Sequence, residues 1–110
     1  MTLLSDLQSA TAGSRELDAR AALAVGWVHQ PNVAHNFKWR DPEGFDRPNI
    51  PHYTTSLDSK LPGENIVQVH YDGDNWIAYH RGEDFGSFIG IGRTEALARR
   101  AACLKAREKD

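Results

Sequence analysis

Three runs with a two-residue period constrain this chain most. IVQVHY at 66–71, WIAYH at 76–80 and GSFIGIG at 86–92 have strand length and alternating character. DGDN at 72–75 separates the first two and is built from turn formers, so those two runs predict a hairpin. The third run passes straight into TEALARRAACLKAREK at 94–109. There Thr94 is placed to cap a helix, and Leu97, Ala101 and Leu104 recur at helical spacing. The many alanines of that segment let such a helix lie close to a sheet.

The first quarter of the chain has the other period. TLLSDLQSA at 2–10 reads as a short helix capped by Thr2, with Leu3, Leu4 and Leu7 as its stripe. After TAGS, Ser14 can cap RELDARAALAVG, whose Leu17, Ala21 and Ala24 share a face and whose Gly26 ends the helix in the left-handed conformation. From about 28 to 53 neither period holds. Pro31, Pro48, Pro51 and the turn DPEG at 41–44 mark a long irregular loop that carries His29, His35, Phe37, Trp39, Phe45 and His52. Pinning that loop to the body is the ordinary role of such rings, with ligand contact at Trp39 and Arg40 as the functional one. TTSLDSKLPG at 54–63 reads as one or two helical turns, capped by Thr55 and stopped by Pro62 and Gly63. The expected fold is α+β: one domain over 1–110, in the order α-α-loop-β-β-β-α, with a three-stranded antiparallel sheet, N-terminal helices and a C-terminal helix.

Hairpin register decides whether His70 and His80 share a face, because a slip of one residue reverses every side chain. Pairing of Tyr71 with Trp76 across a two- or four-residue loop puts the two histidines on opposite faces. Pairing of Asp72 with Trp76 across Gly73-Asp74-Asn75 puts Val67, Val69, Tyr71, Ile77 and Tyr79 on one face, with Gln68, His70, Trp76, Ala78 and His80 on the other. The second register is the expected one, since it gathers the apolar residues into a core with Ile89 and Ile91. It also makes a platform of His70, Trp76, His80 and Phe88, suited to stacking and hydrogen bonding of a planar ligand.

Composition narrows the function classes. An apolar share of 40% and a charged share of 25% suit a folded domain rather than a disordered chain. Net charge of −2 exerts no global pull on nucleic acid, although Arg93, Arg99, Arg100, Lys105, Arg107 and Lys109 make the last stretch locally basic. No apolar run has membrane-spanning length, MTLLSDLQ lacks the features of an export signal, and one cysteine makes no internal disulfide. A cytoplasmic protein is therefore expected.

Signals for catalysis are sparse. Cys103 sits among alanines as a small buried thiol would, and the carboxylate pairs Glu83/Asp84 and Asp72/Asp74 fall in turn contexts. No GxSxG, CxxC, HxxxH or HxE spacing occurs, so no catalytic residue, metal ligand or cofactor is assigned. GIGRTEA at 90–96 has Glu95 where a dinucleotide loop has its third glycine, and reads as a tight strand-to-helix turn beside which Arg93 could hold an anion. The candidate ligand- or partner-binding residues are Trp39, Arg40, His70, Trp76, His80, Phe88 and Arg93.

LLSDLQSATAGSRELDARAALAVGW at 3–27, W-x-DP-x-G at 39–44, P-x-YTTSLD at 51–58, W-x-A at 76–78 and the closing TEALARRAACLKA follow one another in an order that resembles the phage α-β-α sandwich domain of small phage and prophage proteins. The resemblance covers nearly the whole chain. It implies a sheet with helices on both sides and the cytoplasm of an infected or lysogenic bacterium, but no transferable activity. The expected role is a non-enzymatic accessory protein that binds a host protein or a small ligand, for instance to inhibit host defence. The β-β-β-α tail also looks like a double-stranded-RNA-binding domain. Such domains place several lysines at the start of the last helix, where this chain has Arg93 followed by Thr94, Glu95, Ala96 and Leu97, which argues against RNA. A small hydrolase or nuclease using His70 and His80 is the third reading, and homodimerisation is compatible with a domain of this size.

Overall fold

The structure, a computed structural model, describes residues 2–30, 38–82 and 87–108. In chain order its elements are α1 Leu3–Ser9, α2 Arg15–Ala24, the two-residue strands β1 Val28–His29, β2 Trp39–Arg40 and β3 Asp46–Arg47, then β4 Ile66–Tyr71, β5 Trp76–Arg81 and β6 Ser87–Gly92, and finally α3 Glu95–Glu108. The α+β class holds: in chain order the three-stranded antiparallel sheet β4-β5-β6 follows the N-terminal helices and precedes the C-terminal helix. None of the helices is long and apolar enough to cross a membrane among the described residues.

Local chemistry sets the helix ends. Thr2 Oγ1 accepts from the Ser5 amide at 3.1 Å, Ser14 Oγ from Leu17 at 3.1 Å and Thr94 Oγ1 from Leu97 at 3.2 Å. Each satisfies an amide that the first turn leaves without an intrahelical partner. Gly26 closes α2 at φ 106°, and the Trp27 amide reaches back to the Ala22 carbonyl.

Two segments differ from expectation. The stretch from 28 to 53 is not wholly irregular: β1, β2 and β3 form a small antiparallel sheet of their own, with Trp39 paired to His29 and Arg47. The Asp41–Phe45 turn between β2 and β3 drives this pairing. Asp41 Oδ1 accepts from the amides of Glu43 and Phe45, and Gly44 takes φ 96°. His35 and Phe37 lie outside the described residues. The segment 54–63 forms turns rather than helix. Its first residue, Thr54, bonds to Asp18 and to the Ser14 carbonyl instead of capping a following turn.

α3 packs directly on the sheet, α1 packs against both α3 and β6, and α2 packs against α1. Leu97, Ala101, Cys103 and Leu104 of α3 join Leu7, Leu17, Ala21, Val25, Trp27, Ile50, Tyr53 and Leu61 in the main core. The opposite side of α3, Ala98 and Ala102, meets Ala78, with Ile66, Val69 and Trp76 packed around them. α1 lies along α3 and reaches the sheet only at β6, and α2 does not reach it. The described helices therefore cover one face of β4-β5-β6, where the family resemblance implied helices on both.

Glycines in β6 make this packing feasible. A Cβ on Gly90 would collide with the Ala102 amide nitrogen and the Ala98 carbonyl oxygen, and one on Gly92 would lie 2.6 Å from the Ala98 amide nitrogen. Both obstacles are helix backbone, which cannot swing aside. Gly90→Ala is expected to lower the unfolding free energy by about 3 kcal/mol in urea titrations, through overpacking. Gly73→Ala, at φ 107° in open space, should cost only about 1 kcal/mol. Equal losses would contradict the close approach of α3.

Candidate functional site

Tyr71 pairs with Trp76, Val69 with Ala78 and Gln68 with Tyr79. This is the register with a four-residue connection, and it overturns the expected pairing of Asp72 with Trp76. Its cause lies in the turn: Asp72 Oδ1 accepts from the amides of Asp74 at 2.9 Å and Asn75 at 2.8 Å, and Gly73 supplies the positive φ. His70 and His80 consequently lie on opposite faces. Any reading that joins them in one site, as ligands or as a hydrolytic pair, has no geometry to stand on.

Across the sheet the helix-side rows are Tyr71-Trp76-Gly92, Val69-Ala78-Gly90 and Ile66-His80-Phe88. The open-side rows are His70-Ile77-Ile91 and Gln68-Tyr79-Ile89, followed by the pair Arg81-Ser87. An extra residue in β4, Val67, restores the pairing of Ile66 with His80 by a register shift. Ile89 and Ile91 are thus not core residues: they stay 41% and 39% exposed. Together with Ile77 and Tyr79 they form a two-by-two apolar block on the uncovered face, and the His70 ring rests against Tyr79 with centroids 5.7 Å apart.

The expected binding residues therefore divide among three places. Trp39 and Arg40 belong to the small sheet, where Trp39 packs on the main core and on His29 at 4.6 Å, and exposed Arg40 pairs with exposed Asp46 at 3.4 Å. Such a pair contributes little stability. Trp76, His80 and Phe88 lie on the helix side. Trp76 packs against Tyr71 at 5.4 Å and borders a groove of about 450 Å3 shared with Gly13, Thr54, Thr94 and Ala96. His80 is buried and committed. Its Nε2 accepts from the Asn65 amide at 2.9 Å, and its Nδ1 donates to the Arg81 carbonyl at 2.9 Å, which fixes the neutral tautomer with the proton on Nδ1. Only His70 lies on the open face, with exposed Arg93 at its rim just past β6.

Other polar side chains are absorbed by structure. Asp18, fully buried, accepts from the Thr54 amide at 2.7 Å and the Thr54 hydroxyl at 2.6 Å, and pairs with Arg15 at 2.8 Å. Thr54, rather than Thr55, is the residue of YTTS that matters. Arg100, also fully buried, donates to the carbonyls of Tyr53, Ser56 and Leu57 and to Glu64 Oε2 at 2.8 Å. Burial pushes the Glu64 carboxyl up from its usual range and the Arg100 guanidinium down, each opposed by the other's charge.

The described basic residues of the tail are largely committed to partners, and Lys109 lies outside the described residues. Arg99 is held by Glu95 at 2.7 Å, and Lys105 and Arg107 donate to the carbonyls of Ile89 and Pro62. Cys103 is buried, with its thiol pushed up to about 12 by desolvation, which leaves no thiolate for nucleophilic work at neutral pH. Among the described residues no three His, Cys, Asp or Glu side chains are grouped to hold a metal. Glu83 and Asp84 lie outside those residues.

The residues that sequence reasoning missed are Ile77, Tyr79, Arg81, Ile89 and Ile91. A signal for them existed in GSFIGIG, whose glycines alternate with isoleucines just before a helix with Ala98 and Ala102 one turn apart. Glycine facing alanine marks the closely packed side, so the isoleucines take the other. Comparison with protein-family models found no match, and comparison with curated proteins and with solved structures found none.

Asp41 offers a pH test of the small sheet. Its carboxyl is held below the usual 3.8 first by the Phe45 amide, then by Arg47 and the Glu43 amide, against a partial burial cost. A depressed folded value gives stability that is complete above the unfolded value and lost as pH falls through the folded one. Urea midpoints of wild type and Asp41→Asn should differ at pH 7 and converge in acid. A constant difference down to about pH 2 would contradict this role.

Proposed function

We propose that this chain is a small phage or prophage accessory protein that acts by binding a host protein rather than by catalysis, in the manner of an inhibitor of host defence. One observation carries the binding role: the uncovered face of β4-β5-β6 presents Ile77, Tyr79, Ile89 and Ile91 as one contiguous apolar block. Contiguous exposed apolar surface costs solubility, and on folded domains it marks interaction sites. The phage setting rests on the ordered motifs from LLSDLQSATAG to TEALARRAACLKA, and the cytoplasm of the bacterium is the compartment that goes with it.

The chemistry of the remaining polar groups supports binding over catalysis. His80 has both ring nitrogens occupied, Cys103 is buried, and the carboxylates of Asp18 and Glu64 are tied to Thr54 and Arg100. An RNA-binding role is disfavoured, since exposed Arg93 stands without a lysine cluster at the start of α3, and Arg99 and Arg100 within the helix are spent on Glu95 and on the buried clasp with Glu64.

Wild type and an Ile89→Glu/Ile91→Glu variant, immobilised and exposed to bacterial lysate, provide the test. Wild type is expected to retain a host protein in stoichiometric amount and the variant to lose at least nine-tenths of it, with the far-ultraviolet spectra of the two unchanged. Equal retention by both, or retention of nothing by wild type, would overturn the proposal.

A further inference from the structure

We infer that two copies of this chain join along the outer edge of β4, antiparallel about a twofold axis at Val69, so that three strands from each make one continuous sheet. The pairing is independent of the binding role proposed for the open face.

The two edges of the sheet differ. α1 and α3 both pack on β6, and Lys105 Nζ donates to its Ile89 carbonyl at 3.3 Å. β4 meets only β5 and α3 among the described elements, and α3 lies mainly over β5 and β6. Hydrogen bonds at both ends of the hairpin fix how the β4 backbone points. The Arg81 amide donates to the Asn65 carbonyl and the Asp72 amide to the Asn75 carbonyl, each at 3.0 Å. In an antiparallel ladder such bonds alternate, so Gln68 and His70 direct theirs at Tyr79 and Ile77, while Val69 and Tyr71 direct their N–H and C=O groups outward. No described residue receives them. A row of this kind is a template for another strand, and proteins that keep an edge single place lysine, other charges or proline on it. IVQVHY has no Lys, Arg, Asp, Glu or Pro, and the bulge at Val67 disturbs only its first half.

Side chains identify the strand that fits. Val67 and Tyr71 are 56% and 54% exposed although both are large and apolar, and each lies two residues from Val69. An axis at Val69 sets Val67 of one copy against Tyr71 of the other, Gln68 against His70, and Val69 against its own equivalent, with which it exchanges both backbone bonds. An axis at His70 would instead set His70 against itself and leave Val67 beside the turn residue Gly73. The pairs about Val69 are apolar with apolar and polar with polar, and no two like charges meet. β4 is therefore its own complement, and a second copy supplies the whole matching row. The set-back of α3 keeps the helices of the two copies apart. Opposed residues share a face, so the Ile77, Tyr79, Ile89 and Ile91 blocks of both copies lie on one side of the joined sheet. A contact one strand long is small for a protein interface, which sets the association in the micromolar to millimolar range.

Sedimentation equilibrium of the full chain between about 10 μM and about 1 mM tests this. Wild type is expected to form dimers over that range. Gln68→Lys/His70→Lys opposes lysines at both polar pairs and Gln68→Glu/His70→Glu opposes glutamates, at positions that are exposed in the single chain. Each is expected to weaken association about tenfold or more, and an equimolar mixture of the two to restore it as a heterodimer. Restoration excludes misfolding as the cause of either loss. Disulfide trapping reads the register: Gln68→Cys mixed with His70→Cys places the cysteine β-carbons about 5 Å apart, whereas either variant alone leaves them about 7–8 Å apart. Only the mixture is expected to cross-link, since buried Cys103 does not compete. A monomer at about 1 mM, no recovery in the charge mixture, cross-linking of either cysteine variant alone, or a dimer abolished by Ile89→Glu/Ile91→Glu would each overturn the inference. A chain that stays monomeric yet captures an extended peptide, and loses it in Gln68→Lys/His70→Lys, would assign the edge to a foreign strand instead.

Discussion

The close approach of α3 to β6 is the contact on which the rest of this molecule depends. Gly90 and Gly92 leave no side chain between strand and helix, so the backbone of α3 rests at Ala98 and Ala102 against the sheet. Dispersion and burial at so short a separation require small residues on both surfaces. The alternation of β6 then fixes everything else about the sheet. With glycine inward, Ile89 and Ile91 must point outward, and the pairing of Ile89 with Tyr79 and Ile91 with Ile77 carries the same choice into β5.

Polar contacts perform a complementary task in the layer beyond α3. A 110-residue chain with so much irregular backbone needs fixed points. Asp18 with Thr54 ties α2 to the YTTS segment, and Arg100 ties α3 to the carbonyls of Tyr53, Ser56 and Leu57 and to Glu64. Among the described residues every buried side-chain polar atom has a partner. Buried charges held this way confer specificity of arrangement more than stability, since desolvation offsets much of the attraction.

The sequence made the regular elements legible wherever period and caps agreed: Thr2, Ser14 and Thr94 start their helices, Gly26 ends one, and the three long strands lie where the two-residue period placed them. The small sheet of β1, β2 and β3 was hidden because two-residue strands have no period to read. Hairpin register was misjudged for a physical reason. Gathering Val67, Val69, Tyr71, Ile77 and Tyr79 on one inner face maximised apolar burial, whereas the fold keeps Val69 and Tyr71 on the helix side, turns Ile77 and Tyr79 outward, and fills the inner side of β5 and β6 largely with alanine, glycine and a committed histidine. A rule that apolar residues face the core fails where the inner face is given to glycine and alanine under a closely packed helix. The platform of His70, Trp76, His80 and Phe88 failed with it, since only His70 faces outward.

Which side of the sheet is open decides whether Ile89 and Ile91 can meet a partner. Single cysteines introduced at Ile89, Ile91 and Ala78 of the folded protein, reacted with a thiol reagent, read this out directly, with buried Cys103 as the native unreactive reference. Cysteines at 89 and 91 are predicted to label at rates close to those of a free thiol, and one at 78 at least a hundredfold more slowly. Protection at 89 and 91 with rapid labelling at 78 would invert the sheet and contradict the assignment of its outer face.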